Sequence, residues 1–294
     1  MPIKVTIDIF SGRENPVVEL SGKDADAVLE RLKPGASLVA DEAEKAATPI
    51  VGYRGLVIEQ TVPSAADKAL PTRFRVTSGA LTGDGLAHKA ADTDFESFFF
   101  GPKGHFKKLK EARKLRPIIE QEMARSTETR DQAVLPAIAF PSLIVCPCAP
   151  LYEPAWWNDG GQKQLHNNCY NYATNYRTDT FAQPGRAAGA IYSAFTCAAM
   201  RPAAVKDSLE DQPGANNKCP EEGHLVALVI APAIDFHWYR KGRNGSWTHK
   251  PGGTKVTNVD NSGHFISDPR TANRGMYTDF CTFMVVKHGH IKIN

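Results

Sequence analysis

The sequence predicts an α+β protein, and three patterns predict it. Ile3, Val5, Ile7 and Ile9 alternate with Lys4, Thr6 and Asp8, the period of two of a strand with one buried face. Ala25, Val28, Leu29 and Leu32 recur at helical spacing. Residues 224–253 read as strand, strand, turn and strand, with Asn244-Gly245 as a two-residue hairpin turn, because such a primed turn takes positive φ at both central residues.

Taken in order, the chain opens on the strand 3–9 and passes through the polar segment 11–16 to a short amphipathic helix that Pro34-Gly35 stops. Strands are expected at 53–60, Arg73–Thr77 and Phe95–Phe100, followed by a basic helical stretch over 105–126 that Pro117 breaks into two helices. Residues 1–126 thus form a small α+β unit. Residues 127–160, threaded by Pro136, Pro141, Pro147, Pro150 and Pro154, read as a connector. The remainder, 161–294, holds most of the aromatic and histidine signals and ends in a strand over 277–288.

A chain of 294 residues with 42% hydrophobic and 23% charged residues has enough apolar material for a real core, and collagen, coiled coil and mucin are excluded. The charge of +3, from 35 basic and 32 acidic residues, carries no footprint of nucleic-acid or anionic-membrane binding. The basic run over 103–116 is interleaved with Phe106, Leu109 and Leu115 and reads as a solvated helix face. No basic region followed by an apolar run opens the chain, and no stretch approaches the roughly 20 apolar residues of a membrane helix. Six cysteines in a chain this long are read as mostly reduced, which places the protein in the cytoplasm or has it exported by a route without an N-terminal signal peptide.

The chemistry is expected in the last third. Cys169 follows a Gly- and Asn-rich loop at the start of a segment able to form a helix, where unpaired backbone N–H groups favour thiolate; the alternative is a small buried hydrophobe. Across the predicted hairpin, His237 and His249 ride on adjacent strands and can point to one side of the sheet. A thiol on a helix, an imidazole on a sheet and a further polar group to orient it meet the requirement for an activated nucleophile. His224, ahead of the apolar run 225–230, is a rival for the base, and Asp260 or Asn261 a rival for the orienting group.

In order and setting, residues 155–290 resemble the papain-like superfamily in its broad sense, which takes in papain, the NlpC-type peptidases, the CHAP amidases and the transglutaminase-like proteins. The resemblance implies a helix packed on an antiparallel sheet, with Cys169 as nucleophile, His237 as base and His249 as orienter. Gln164, like Gln162, lies upstream near the place of the oxyanion glutamine, and Trp156 with Trp157 would line the substrate groove. The function implied is that of a bacterial thiol hydrolase cleaving a peptide or amide substrate through an acyl-enzyme on Cys169. Neither cofactor nor metal is expected: no dinucleotide or phosphate-loop motif occurs, and Cys146-Pro-Cys148 is spaced poorly for zinc. The competing class is a non-catalytic bacterial binding or interaction module, toxin-associated or immunity-type, presenting an aromatic and His-rich surface. The segment Phe10-Ser-Gly-Arg-Glu-Asn-Pro16, with Gly52-Tyr-Arg-Gly55, stands out as a recurrent motif to which no activity attaches.

Overall fold

In the computed structural model, which describes residues 2–61, 70–132 and 144–294, the chain divides into two units. The first takes Met1–Ile9, Asn15–Thr48 and Gly52–Ala133; the second takes Phe10–Glu14, Pro49–Val51 and Val134–Asn294. Pro136 and Pro141 of the expected connector lie outside the described residues.

In the first unit, β1 (Ile3–Ile7), β2 (Val17–Leu20), α1 (Lys23–Arg31), β3 (Pro34–Ser37), α2 (Ala40–Ala47), β4 (Leu56–Gln60), β5 (Arg73–Thr77), β6 (Ala80–Gly83), β7 (Leu86–Ala90), α3 (Phe95–Phe100) and α4 (Ala112–Gln132) follow one another. The strands make one antiparallel sheet in the order β2-β1-β4-β5-β6-β7-β3. Alternation in β1 buries Ile3, Val5 and Ile7, and Val28 and Leu29 of α1 are buried as well. The architecture is α+β.

Two elements differ from expectation. Phe95–Phe100 is a helix: Phe95 and Glu96, then one turn later Phe99 and Phe100, are buried on one side, whereas a strand sends adjacent residues to opposite faces. Phe99 and Phe100 pack edge to face at 5.3 Å, as do Phe100 and Phe106. Pro117 lies inside α4 and does not divide it, so one helix follows a single 3₁₀ turn at His105–Lys108. A proline this near a helix start removes a single ladder bond.

The motif residues of this unit surround Asp8. Its carboxylate receives Arg54 Nη2 at 2.5 Å, Arg75 Nη2 at 2.7 Å and Asn15 Nδ2 at 3.0 Å. The two guanidiniums hold Asp8 well below the usual carboxylate range against the opposing effect of burial. Asn15 and Arg54 therefore have a structural task, holding a buried ion cluster together.

The second unit holds α5 (Pro154–Trp157), α6 (Gln162–His166), α7 (Cys169–Thr174), α8 (Cys197–Lys206), β8 (Glu210–Asp211), β9 (His224–Ala231), β10 (Asp235–Lys241), β11 (Trp247–His249) and β12 (Asp279–Val286). Its antiparallel sheet runs β11-β10-β9-β12-β8. Every residue of β9 and β10 is buried, so both strands are covered on both faces. On one face Cys169, Tyr170 and Ala173 of α7 pack with Val226, Leu228, Ile230, Phe236 and Trp238. The β10–β11 hairpin pairs Tyr239 with His249 and Lys241 with Trp247. Its turn is not the two-residue primed type: only Gly245, at φ 81°, is left-handed, and Gly242 bonds both Gly245 N–H and Ser246 C=O, closing a three-residue loop.

Two disulfides, Cys146–Cys219 and Cys197–Cys281, brace this unit and leave Cys148 and Cys169 as the free thiols. The expectation of mostly reduced cysteines is corrected here. The partners lie 73 and 84 residues apart, so only the folded chain brings them together. No helix among the described residues is long and apolar enough to cross a membrane.

Candidate functional site

Asn168 caps α7. Its Oδ1 accepts from the N–H groups of Tyr170 and Asn171, while Asn171 Oδ1 accepts from Asn168 N–H, a reciprocal pair that starts the helix at Cys169. Cys169 is wholly buried in the core cluster, and its sulfur lies 3.9 Å from the Phe236 carbonyl. Burial pushes the thiol well up, with the charge of Asp235 acting in the same direction. A sulfur in that setting stays protonated, the reverse of the thiolate expected from its position on the helix.

His237 and His249 meet, with Nε2 of the first 2.9 Å from Nδ1 of the second. Val259 carbonyl lies 3.0 Å from His249 Nε2 and can only accept, so His249 donates from Nε2–H and accepts at Nδ1 a hydrogen bond donated by His237 Nε2–H. Burial lowers His249 to about 4, which keeps its ring neutral. Tyr239, 4.8 Å from His237 and 4.9 Å from His249, and Tyr277, 5.5 Å from His237, complete an aromatic group. Side chains alternate along β10, so Phe236 and Trp238, which pack with Cys169, project from the face opposite His237 and Tyr239.

The remaining candidates are distributed. Trp157 is buried edge-on to Tyr172 at 5.2 Å, whereas Trp156 is 52% exposed beneath the Arg177 guanidinium at 4.0 Å. Gln164 is held through its backbone: the buried Lys250 ammonium donates to the carbonyls of Gln164, Asn167 and Gly252. His224 bonds the Ala173 carbonyl at 2.7 Å, near the end of α7 away from Cys169, and burial lowers it to about 3. Asp260 caps its own turn through Ser262 and His264 N–H, and Asn261 bonds Val51 N–H and C=O. Neither of these two orients a histidine in these bonds; the Val259 carbonyl does.

Sequence reasoning missed Asp235. Its buried carboxylate accepts from the N–H groups of Ser11, Gly12 and Arg13 at 2.6, 3.2 and 3.0 Å and from Tyr277 Oη at 2.6 Å. Asn168 and Gln183 side chains both donate to Gly12 C=O. A Cβ at Gly12 would meet the Phe236 ring at 2.6 Å, so glycine is required there. The motif segment Phe10–Glu14 is thus an anion nest filled by the protein's own carboxylate, and the run of small and polar residues at 11–14 was the available signal.

No family model and no solved structure matches the chain. The chain is similar to insoluble matrix shell protein 1 of the mollusc Ruditapes philippinarum, 45% identical over 141 residues that make up 47% of this chain and 91% of the other. The bacterial cysteine-protease assignment is corrected by that finding, since the similar protein is a matrix protein of a mollusc shell. The cytoplasmic placement is corrected as well: the similar protein is named for a shell matrix, and two disulfides persist where the surroundings are oxidising.

Proposed function

The chain belongs to the family of insoluble matrix shell protein 1, and from that premise we propose that it is an exported structural protein of an extracellular matrix. It acts as a disulfide-braced scaffold and not as an enzyme. The observation that carries this reading is the 45% identity across 91% of the shell protein. Two features of the second unit support it. Both disulfides lie there, as suits a protein that must persist outside the cell. Cys169, at the start of α7, is sealed in the core, and His249 is buried and neutral, so these groups behave as core residues.

Fractionation of the source tissue, with thiol titration of the purified chain, tests the proposal. The expected result is recovery from an extracellular, poorly soluble fraction and titration of two thiols out of six in denaturant without reductant. Recovery from cytosol with every cysteine reduced overturns it. So does turnover of an amide or peptide that Cys169→Ala abolishes while the protein stays folded.

A further inference from the structure

The segment from Lys103 to Arg116 holds seven of the chain's 35 basic residues and one, Glu111, of its 32 acidic ones, so the other residues together carry a net negative charge. The fold makes a fixed surface of this segment. Gly104 packs so closely on the end of α3 that a Cβ there would collide with the carbonyl oxygens of Phe98 and Phe99. Phe106 of the 3₁₀ turn and Leu115 of α4 are buried, with Leu109 half-buried between them. With these side chains turned inward, the charged ones on the same elements are left in solvent. Two of the seven cations have a carboxylate, Lys108 with Asp24 at 2.6 Å and Arg116 with Glu120 at 3.5 Å. Lys103, Lys107, Lys110, Arg113 and Lys114 are exposed and form no ion pair among the described residues. Like charges held this close repel one another, and an anion lying across them relieves the repulsion.

We propose that this face binds an acidic polysaccharide, a hydrophilic chain of repeated anionic groups, an inference that rests on the reading of the protein as a component of an extracellular matrix. Charge complementarity carries it, and the absence of apolar anchors selects the partner. Protein interfaces centre on buried aromatic and aliphatic side chains and are depleted of lysine, and helices that lie on membranes insert such side chains. Between Lys103 and Arg116 no large apolar side chain is exposed. Single-stranded nucleic acid gains from stacking on exposed aromatic rings, and this face presents none. A partner recognised by charge alone fits what is displayed. Four of the five unpaired cations are lysines, compact charges on flexible stems, which can follow irregularly placed anions without a set geometry.

Titration of the full chain with heparin tests this, against polyglutamate, phosphatidylserine vesicles and single-stranded DNA as the other probes. Heparin is expected to bind, with an affinity that falls steeply from about 50 to about 200 mM salt. Each of the other three is expected to bind roughly tenfold more weakly or worse. Combining Lys107→Gln, Lys110→Gln, Arg113→Gln and Lys114→Gln should weaken heparin binding by roughly tenfold or more and flatten its salt dependence. A control that changes the exposed Lys206, Lys218, Lys255 and Lys292 to glutamine alters net charge equally and should stay within about twofold of wild type. If the first variant fails to fold, amine acetylation of the wild type decides: bound heparin should protect Lys107, Lys110 and Lys114 and leave Lys206 and Lys218 reactive. Absence of heparin binding, an equal loss in the control, protection of Lys206 and Lys218 in place of the patch, or another probe binding as tightly overturns the proposal. Neither tissue fractionation nor thiol count enters these readouts, so failure here and failure of the matrix reading are told apart.

Discussion

Cys148 and Cys169 are both free, and their surroundings set them apart: Cys148 is exposed, whereas Cys169 is buried with its thiol pushed up. Alkylation needs a thiolate that reagent can reach. Iodoacetamide at neutral pH is therefore expected to label Cys148 in the native protein and Cys169 only after denaturant is added, read by peptide mass mapping. Fast native labelling at Cys169 would contradict the buried placement. Asp235 shows the same logic for a carboxylate. Four donors in one place let it stay in the interior, although burial raises it above the usual carboxylate range. Nothing local to residue 235 announces this role, because its three backbone partners lie more than 220 residues away.

Among the elements, β9 begins at His224, whose depressed pKa makes the strand sensitive to acid. The unfolded chain takes a proton on this residue near its ordinary 6.5, the folded one only near 3, so its contribution falls as pH drops between those values. His249, at about 4, acts in the same sense; Asp207, raised to about 6, acts in the opposite sense. His224→Gln removes one of these effects and keeps a donor for the Ala173 carbonyl. Urea melts at pH 7 and pH 4 should show the variant losing less stability than wild type, by roughly 2 kcal/mol. Equal losses would mean that the ring is not neutral in the fold. How far such elements can be read from sequence depends on whether one local rule decides them. The alternation of β1 and the Asn-rich start of α7 obey such a rule and are legible. Phe95–Phe100 does not, since a short apolar run suits strand or helix and the packing of Phe100 on Phe106 decides. The meeting of His237 and His249 was legible from the hairpin, although the turn that joins the strands is a different one. The opposite-face placement of Phe236 and Trp238 against Cys169 depends on helix packing that no local pattern encodes.

At the scale of the whole molecule, the two units differ in cross-linking. All six cysteines and all four tryptophans fall in the second, so tryptophan fluorescence reports on that unit alone. Closing loops of 73 and 84 residues restricts the unfolded chain, a contribution of roughly 2–4 kcal/mol for each bridge. Reductant should accordingly lower the denaturant midpoint followed by fluorescence while leaving amide-exchange protection of β1 and β4 in the first unit unchanged. A fluorescence midpoint that ignores reductant would mean that the bridges carry no stability.

The docking of Phe10–Glu14 within the second unit also sets an order in time. During synthesis these residues emerge first, and the carboxylate that will bind their amides is made more than 220 residues later. Until then the nest is served by water, and contacts so distant along the chain close slowly. The second unit therefore reaches its final state only after Asp235 has been made, and a fragment cut to begin at residue 134 would bury Asp235 without the three amides that make it tolerable.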